Sequence, residues 1–118
     1  MSSCEKCPFK GRPQVPSEGN PKECRYILLG EAPAHDEVSK RRPFVGATGR
    51  LLMAFMGRVG MTRDECYIMN AVSCQLPHNK KGLAEAIRCC RQRVLEELAT
   101  INTGATLAVM GKVARDAL

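Results

Sequence analysis

Residues 25–33 read Arg25-Tyr-Ile-Leu-Leu-Gly30-Glu-Ala-Pro33, and this stretch decides the fold. A short apolar run closed by a glycine has the length of a buried strand and is too short for a helix. Two runs of the same kind follow, Cys66-Tyr-Ile-Met-Asn-Ala-Val-Ser73 and Ala105-Thr-Leu-Ala-Val-Met110. Between them the period changes. Leu51, Leu52, Phe55 and Val59 fall on one helical face that Gly60 terminates. Leu83, Ala86, Ile87, Cys90, Val94, Leu95, Leu98 and Ile101 recur at the spacing of a long amphipathic helix. Strands alternating with helices predict a parallel α/β sheet with right-handed crossovers. Residues 8–24, with Pro8, Pro13, Pro16 and Pro21, read as an irregular arm, and residues 31–46 as a loop. Thr62-Arg-Asp-Glu65 has the pattern of a capping box opening one helical turn. The helix after Gly111 has room for barely two turns before Leu118, so a three-stranded sheet is expected to be truncated or completed by another segment.

A chain of 118 residues holds one domain at most, and its 44% apolar content excludes disorder. No window approaches the ~18 apolar residues of a membrane span, and Met1-Ser-Ser-Cys4 is no signal peptide. A cytoplasmic location without membrane contact is expected, where thiols stay reduced. Seven cysteines, an odd number that includes a Cys4-x-x-Cys7 pair, then favour metal or cluster ligation over disulfides. The net charge of +6 suits a polyanion, nucleic acid above all, though solvated basic faces are common.

In an open parallel sheet, ligands bind outside the carboxyl ends of the strands. Residues 30–46, residues 70–79 and the turn at Gly111 belong there. Gly30 permits a sharp turn and Pro33 stiffens it, presenting Glu31 or backbone N–H groups to a ligand; an ordinary βα turn is the alternative. Phe44, beside Lys40, Arg41 and Arg42, either offers a stacking face to a base or plugs its loop onto the core. Asn70 ends an otherwise apolar strand, where its amide either reads a pyrimidine edge or bonds the local backbone. Zinc ribbons use two short cysteine knuckles, whereas here Cys4 and Cys7 form one and Cys74 and Cys90 are single. Iron–sulfur clusters accept such scattered thiolates, although Cys90 also fits a plain buried cysteine. Cys89 is the weaker ligand candidate, and Cys24 and Cys66 look structural.

The ordered set Cys4-x-x-Cys7, Gly19-Asn-Pro21, Gly30-Glu-Ala-Pro33 with Glu37, Arg42-Pro-Phe-Val-Gly46 with Gly49 and Leu51-Leu52, Tyr67-Ile-Met-Asn70, and Val72-Ser-Cys74 with Pro77, Asn79 and Cys90 resembles the family 4 uracil-DNA glycosylases. These are the iron–sulfur branch of the uracil-DNA glycosylase superfamily, and the likeness covers essentially the whole chain. It implies a three-layer α/β/α sandwich over residues 1–118, with residues 1–24 as a cluster-binding arm. It implies a 4Fe-4S cluster on Cys4, Cys7, Cys74 and Cys90. Glu31 would position or activate the attacking water, Phe44 would stack on flipped uracil, and Asn70 would read its polar edge. Gly30, Ala32 and Glu37 would complete the pocket, while Lys40, Arg41, Arg42, Lys80 and Lys81 would take DNA phosphates. The implied activity is hydrolysis of the uracil N-glycosidic bond in DNA, in base excision repair, by base flipping.

Two departures stand out. The family places a glycine where this chain has Ala34, whose methyl is expected to crowd the loop. Its second catalytic motif, a histidine-proline loop, would lie beyond Leu118, and neither His35 nor His78 takes its place. The chain therefore resembles the N-terminal two-thirds of such an enzyme. The competing expectations are a catalytically inactive iron–sulfur DNA-binding module and a zinc or redox module with no DNA role.

Overall fold

The protein is described here by a computed structural model covering residues 7–77, 79, 81–102, 104–116 and 118. Three strands, β1 (Tyr26–Gly30), β2 (Cys66–Asn70) and β3 (Thr106–Val109), form one parallel sheet in the order β2-β1-β3. The helices are α1 (His35–Lys40), α2 (Ala47–Arg58), α3 (Leu83–Ala99) and α4 (Lys112–Asp116). A single 3-10 turn, Arg63–Glu65, leads into β2 behind the expected capping box of Thr62 and Glu65.

The alternation of side chains along a strand separates the layers. Ile27 and Leu29 of β1 and Met69 of β2 turn to one face, where they pack with Val94 of α3 and Ala114 of α4. Leu28 and Ile68 turn to the other face and meet Met56 and Leu52 of α2. Connections of one hand explain this. The β1-to-β2 step moves outward and the β2-to-β3 step returns past β1, so their helices fall on opposite faces. The result is the α/β/α arrangement. A third cluster, around Val72, Cys74, Ala86 and Cys90, sits at the first half of α3 with Phe9 of the arm.

Several expectations change. Of the α2 stripe named from sequence, Leu52 packs on the core, whereas Leu51, Phe55 and Val59 are 59%, 57% and 73% exposed. Met56 is buried, with Leu52 and Met53 packed beside it. Both stripes have helical spacing, so the period alone does not choose between them. On α3, Leu95 is likewise exposed, and the helix ends at Ala99, leaving Ile101 buried in the following turn. Residues 31–46 are not all loop, because α1 lies within them. Among its described residues the arm has no strand of its own but runs antiparallel along the outer edge of β2, through bridges Gln14–Cys74 and Glu18–Ile68. That pairing covers an edge that would otherwise leave N–H and C=O groups open.

Candidate active site

The carboxyl ends of the three strands open onto one cavity of about 470 Å³, reached by Gly30 after β1, Asn70 at the end of β2 and Met110 after β3. Gly30 and Asn70 are register partners, and the pairing continues past the strands, with Ala71 N–H donating to Gly30 O and Val72 N–H to Glu31 O. The Gly-Glu-Ala-Pro turn is thus clamped by backbone bonds beside the buried Asn70. A Cβ on Gly30 would stand 2.6 Å from Phe44 Cζ and 2.6 Å from Asn70 Oδ1. Glycine is required because the aromatic ring and the amide both press on its α-carbon. Glu31, half-buried, and Ala32 complete this wall.

Phe44 adopts φ 53, in the left-handed region that costs a bulky L-residue ~1–3 kcal/mol. Its main chain lies against α2 at Gly49, where a Cβ would approach Phe44 C and O at 2.3 Å. Glu37 gathers the loop from the other side. Its carboxylate accepts from the N–H groups of Gly46 at 2.6 Å, Val45 at 3.0 Å and Ala34 at 3.1 Å. Burial pushes the Glu37 pKa up, but those three donors outweigh it and hold the group below its ordinary value. Glu37 therefore lines the cavity chiefly as a loop anchor, a role its position in the sequence did not reveal. Ala34 takes an ordinary extended conformation (φ −103, ψ −170) as N-cap of α1 and is exposed, so its methyl crowds nothing.

Sequence reasoning missed other contributors. His35, Asp36, Thr48 and Leu52 also line the cavity. Arg93, on α3, donates from Nη2 to the carbonyls of Asn70 at 2.7 Å and Ala71 at 3.1 Å, fixing the end of β2. Glu97 accepts from both Arg93 and the Tyr67 hydroxyl; burial, then this bond, raises the Tyr67 pKa to about 12. A long-range bond from a helix to a strand end carries no local sequence signal.

Of the proposed phosphate contacts, Lys40, Arg41 and Lys81 are exposed, and Lys80 lies outside the described residues. Arg42 is exposed too, but its guanidinium is engaged by both carboxylate oxygens of Glu18, at 2.7 and 2.8 Å. His78 and Cys4 lie outside the described residues.

The remaining proposed thiols draw toward the start of α3. Cys74 and Cys90 are buried in one apolar cluster with Phe9, two residues along the arm from Cys7. Phe9 is seated on Gly82, the N-cap of α3. The Cys89 thiol shares a hydrogen bond with Cys7, and burial followed by that bond raises its pKa to about 11. Among the described residues no three His, Cys, Asp or Glu side chains are gathered closely enough to hold a metal ion. The donor set, all sulfur in an apolar shell, fits a soft thiolate-ligated centre in its chemistry. Cys24 and Cys66 are buried elsewhere, with pKa values raised by burial, as structural thiols. No helix among the described residues is long and apolar enough to cross a membrane.

The family model described as "Uracil DNA glycosylase superfamily" matches residues 16–118. The chain is 35% identical over 103 residues to a type-4 uracil-DNA glycosylase of Archaeoglobus fulgidus, covering 86% of this chain and 51% of the relative. It is 32% identical to one from Pyrobaculum aerophilum, covering 100% of this chain and 60% of the relative. A type-5 uracil-DNA glycosylase of Thermus thermophilus is 31% identical over 94% of this chain and 56% of its own length. The chain thus spans about half the length of the curated relatives it matches.

Proposed function

From a chain that belongs to the uracil DNA glycosylase superfamily, we propose the recognition and excision of uracil from DNA, in the manner of the type-4 branch. The observation that carries this reading is the convergence of Glu31, Phe44 and Asn70 on one cavity at the carboxyl ends of the strands. Cutting the N-glycosidic bond develops positive charge on the sugar and negative charge on the departing base. A flipped uracil needs a face to stack on and partners for its polar edge. The Phe44 ring, held over Gly30, supplies the face, worth ~1–3 kcal/mol. The Asn70 amide, with a donor and an acceptor, suits the uracil edge. Glu31, which lines the same cavity, would orient a water and stabilise the cationic sugar. Lys40, Arg41 and Lys81, all exposed, would take phosphates, and Arg42 would contribute less because Glu18 already holds it.

Cys4, Cys7, Cys74 and Cys90 would hold a 4Fe-4S cluster. When bound, such a cluster ties separate segments of chain together through iron–thiolate bonds. Residues 1–24 are then the arm so tied, within a glycosylase-like domain spanning residues 1–118.

The test uses single-stranded oligonucleotides that differ only in one deoxyuridine or thymidine, scoring both binding and free uracil released. A preference for deoxyuridine that Asn70→Ala removes is the expected result. Equal binding to both oligonucleotides, with no uracil released, overturns the proposal.

A further inference from the structure

Glu18 lies on the irregular arm, far in sequence from the cavity, yet it is bound to the loop that carries Phe44. Its backbone is fixed first. Glu18 N–H donates to Ile68 O at 2.9 Å and Ile68 N–H returns a bond to Glu18 O at 2.7 Å, seating the residue on β2. Its carboxylate then receives two guanidinium groups. Arg63 donates from Nε to Oε2 at 2.7 Å, and Arg42 donates from Nε to Oε1 at 2.7 Å and from Nη2 to Oε2 at 2.8 Å.

Arg63 has two further donors, and both reach the aromatic's own segment. Nη2 donates to Pro43 O at 2.6 Å and Nη1 to Phe44 O at 3.1 Å. The carbonyls on both sides of the left-handed turn are therefore satisfied by one side chain, whose remaining nitrogen is committed to Glu18. A non-glycine residue stays in that region only where its surroundings over-determine it. Glu37 supplies the acceptor for Val45 and Gly46 on the far side of Phe44, so Arg63 and Glu37 grip the turn from opposite ends. Planar, forked geometry is what lets a guanidinium serve a carboxylate and two carbonyls together, which an ammonium does not reproduce. The charge on Glu18 is secure, since Arg42 first, and Arg63 after the opposing effect of burial, hold its pKa down to about 2.

We propose that Glu18 is a positioning residue for uracil recognition: from the cysteine-bearing arm, through Arg63 and Arg42, it holds Phe44 in the conformation that presents its ring to the base. This rests on the glycosylase reading above and extends it, because the arm then acts on base selectivity as well as on stability. Arg63 belongs to the same device. Neither side chain lines the cavity, so both act through Phe44.

The test is a double-mutant cycle on the full chain, with deoxyuridine and thymidine oligonucleotides as probes. Glu18→Gln, which keeps the side-chain shape, and Glu18→Ala are each combined with Phe44→Ala. The expected result is a roughly tenfold loss of deoxyuridine preference, equivalent to about 1.4 kcal/mol, for Glu18→Ala. That loss disappears when Phe44 is already alanine, because the two residues act as a unit. Removing the surface pair Arg25–Glu65 through Arg25→Ala is the control for general loosening and leaves the preference unchanged. An undiminished preference in both Glu18 variants overturns the inference, as does an equal loss in the Phe44→Ala background. Failure of the unaltered chain to prefer deoxyuridine strikes the glycosylase reading itself, and so is distinguishable from failure of this step.

Discussion

Two glycines in α2 make opposite predictions for the same substitution. A Cβ at Gly57 meets nothing within 4 Å, whereas one at Gly49 would lie 2.3 Å from both Phe44 C and Phe44 O and 2.7 Å from Phe44 Cα. Those are main-chain atoms and do not rotate aside. Restoring an ordinary contact of ~3.4 Å requires the first turn of α2 and the Phe44 segment to part by roughly 1 Å, an overpacking that costs about 1–3 kcal/mol. Alanine's helical advantage over glycine is at most ~1 kcal/mol and is common to both sites. Gly57→Ala is therefore expected to stabilise by about 0.5–1 kcal/mol, and Gly49→Ala to destabilise by up to about 2 kcal/mol. At roughly 4 °C per kcal/mol for a domain of this size, the two midpoints separate by about 4–12 °C. Thermal and urea unfolding with far-ultraviolet circular dichroism measure this directly. Because Phe44 moves with α2, Gly49→Ala also weakens deoxyuridine binding while Gly57→Ala does not. If Gly49→Ala matched or exceeded Gly57→Ala in stability, the close seating of Phe44 on α2 would be refuted, and with it the account of the cavity wall.

The exposed and buried stripes of α2 separate similarly: Met56→Ala is expected to cost about 2–4 kcal/mol, and Phe55→Ser less than about 1 kcal/mol, since Phe55 is mostly exposed, with the Arg58 guanidinium 5.9 Å from its ring. Equal costs would restore the stripe read from sequence. Acid sensitivity follows from carboxylates whose folded pKa values lie below the ordinary 4.5, with Glu18 reaching about 2. Their stabilisation is complete above pH 4.5 and is lost as the pH falls toward 2, so denaturant midpoints should stay level from pH 7 to about 5 and then drop. Glu18→Gln should shrink that drop, and an unchanged drop would remove Glu18 from the explanation. For the thiols, iron content and broad absorption near ~400 nm after anaerobic preparation should survive Cys89→Ser and be lost in Cys74→Ser or Cys90→Ser. The reverse pattern would reassign the ligands.

The sequence by itself determined the three strands, the two long helices between them, the parallel connections and the place of a cavity at the strand ends. These depend on local quantities: runs of apolar residues, helical spacing and glycine stops. It also marked Gly30, Phe44 and Asn70, because a glycine, a loop aromatic and a buried amide are each unusual where they stand. Tertiary structure alone decided which stripe of α2 faces the sheet, since Leu51-Phe55-Val59 and Leu52-Met56 satisfy the same period and differ only in what lies opposite. It alone made Glu37, at the pocket edge, also the anchor of Val45 and Gly46, and drew Arg42 toward Glu18. Such choices depend on donors and acceptors brought together from distant parts of the chain, and a pattern of neighbours along the backbone does not encode those distances.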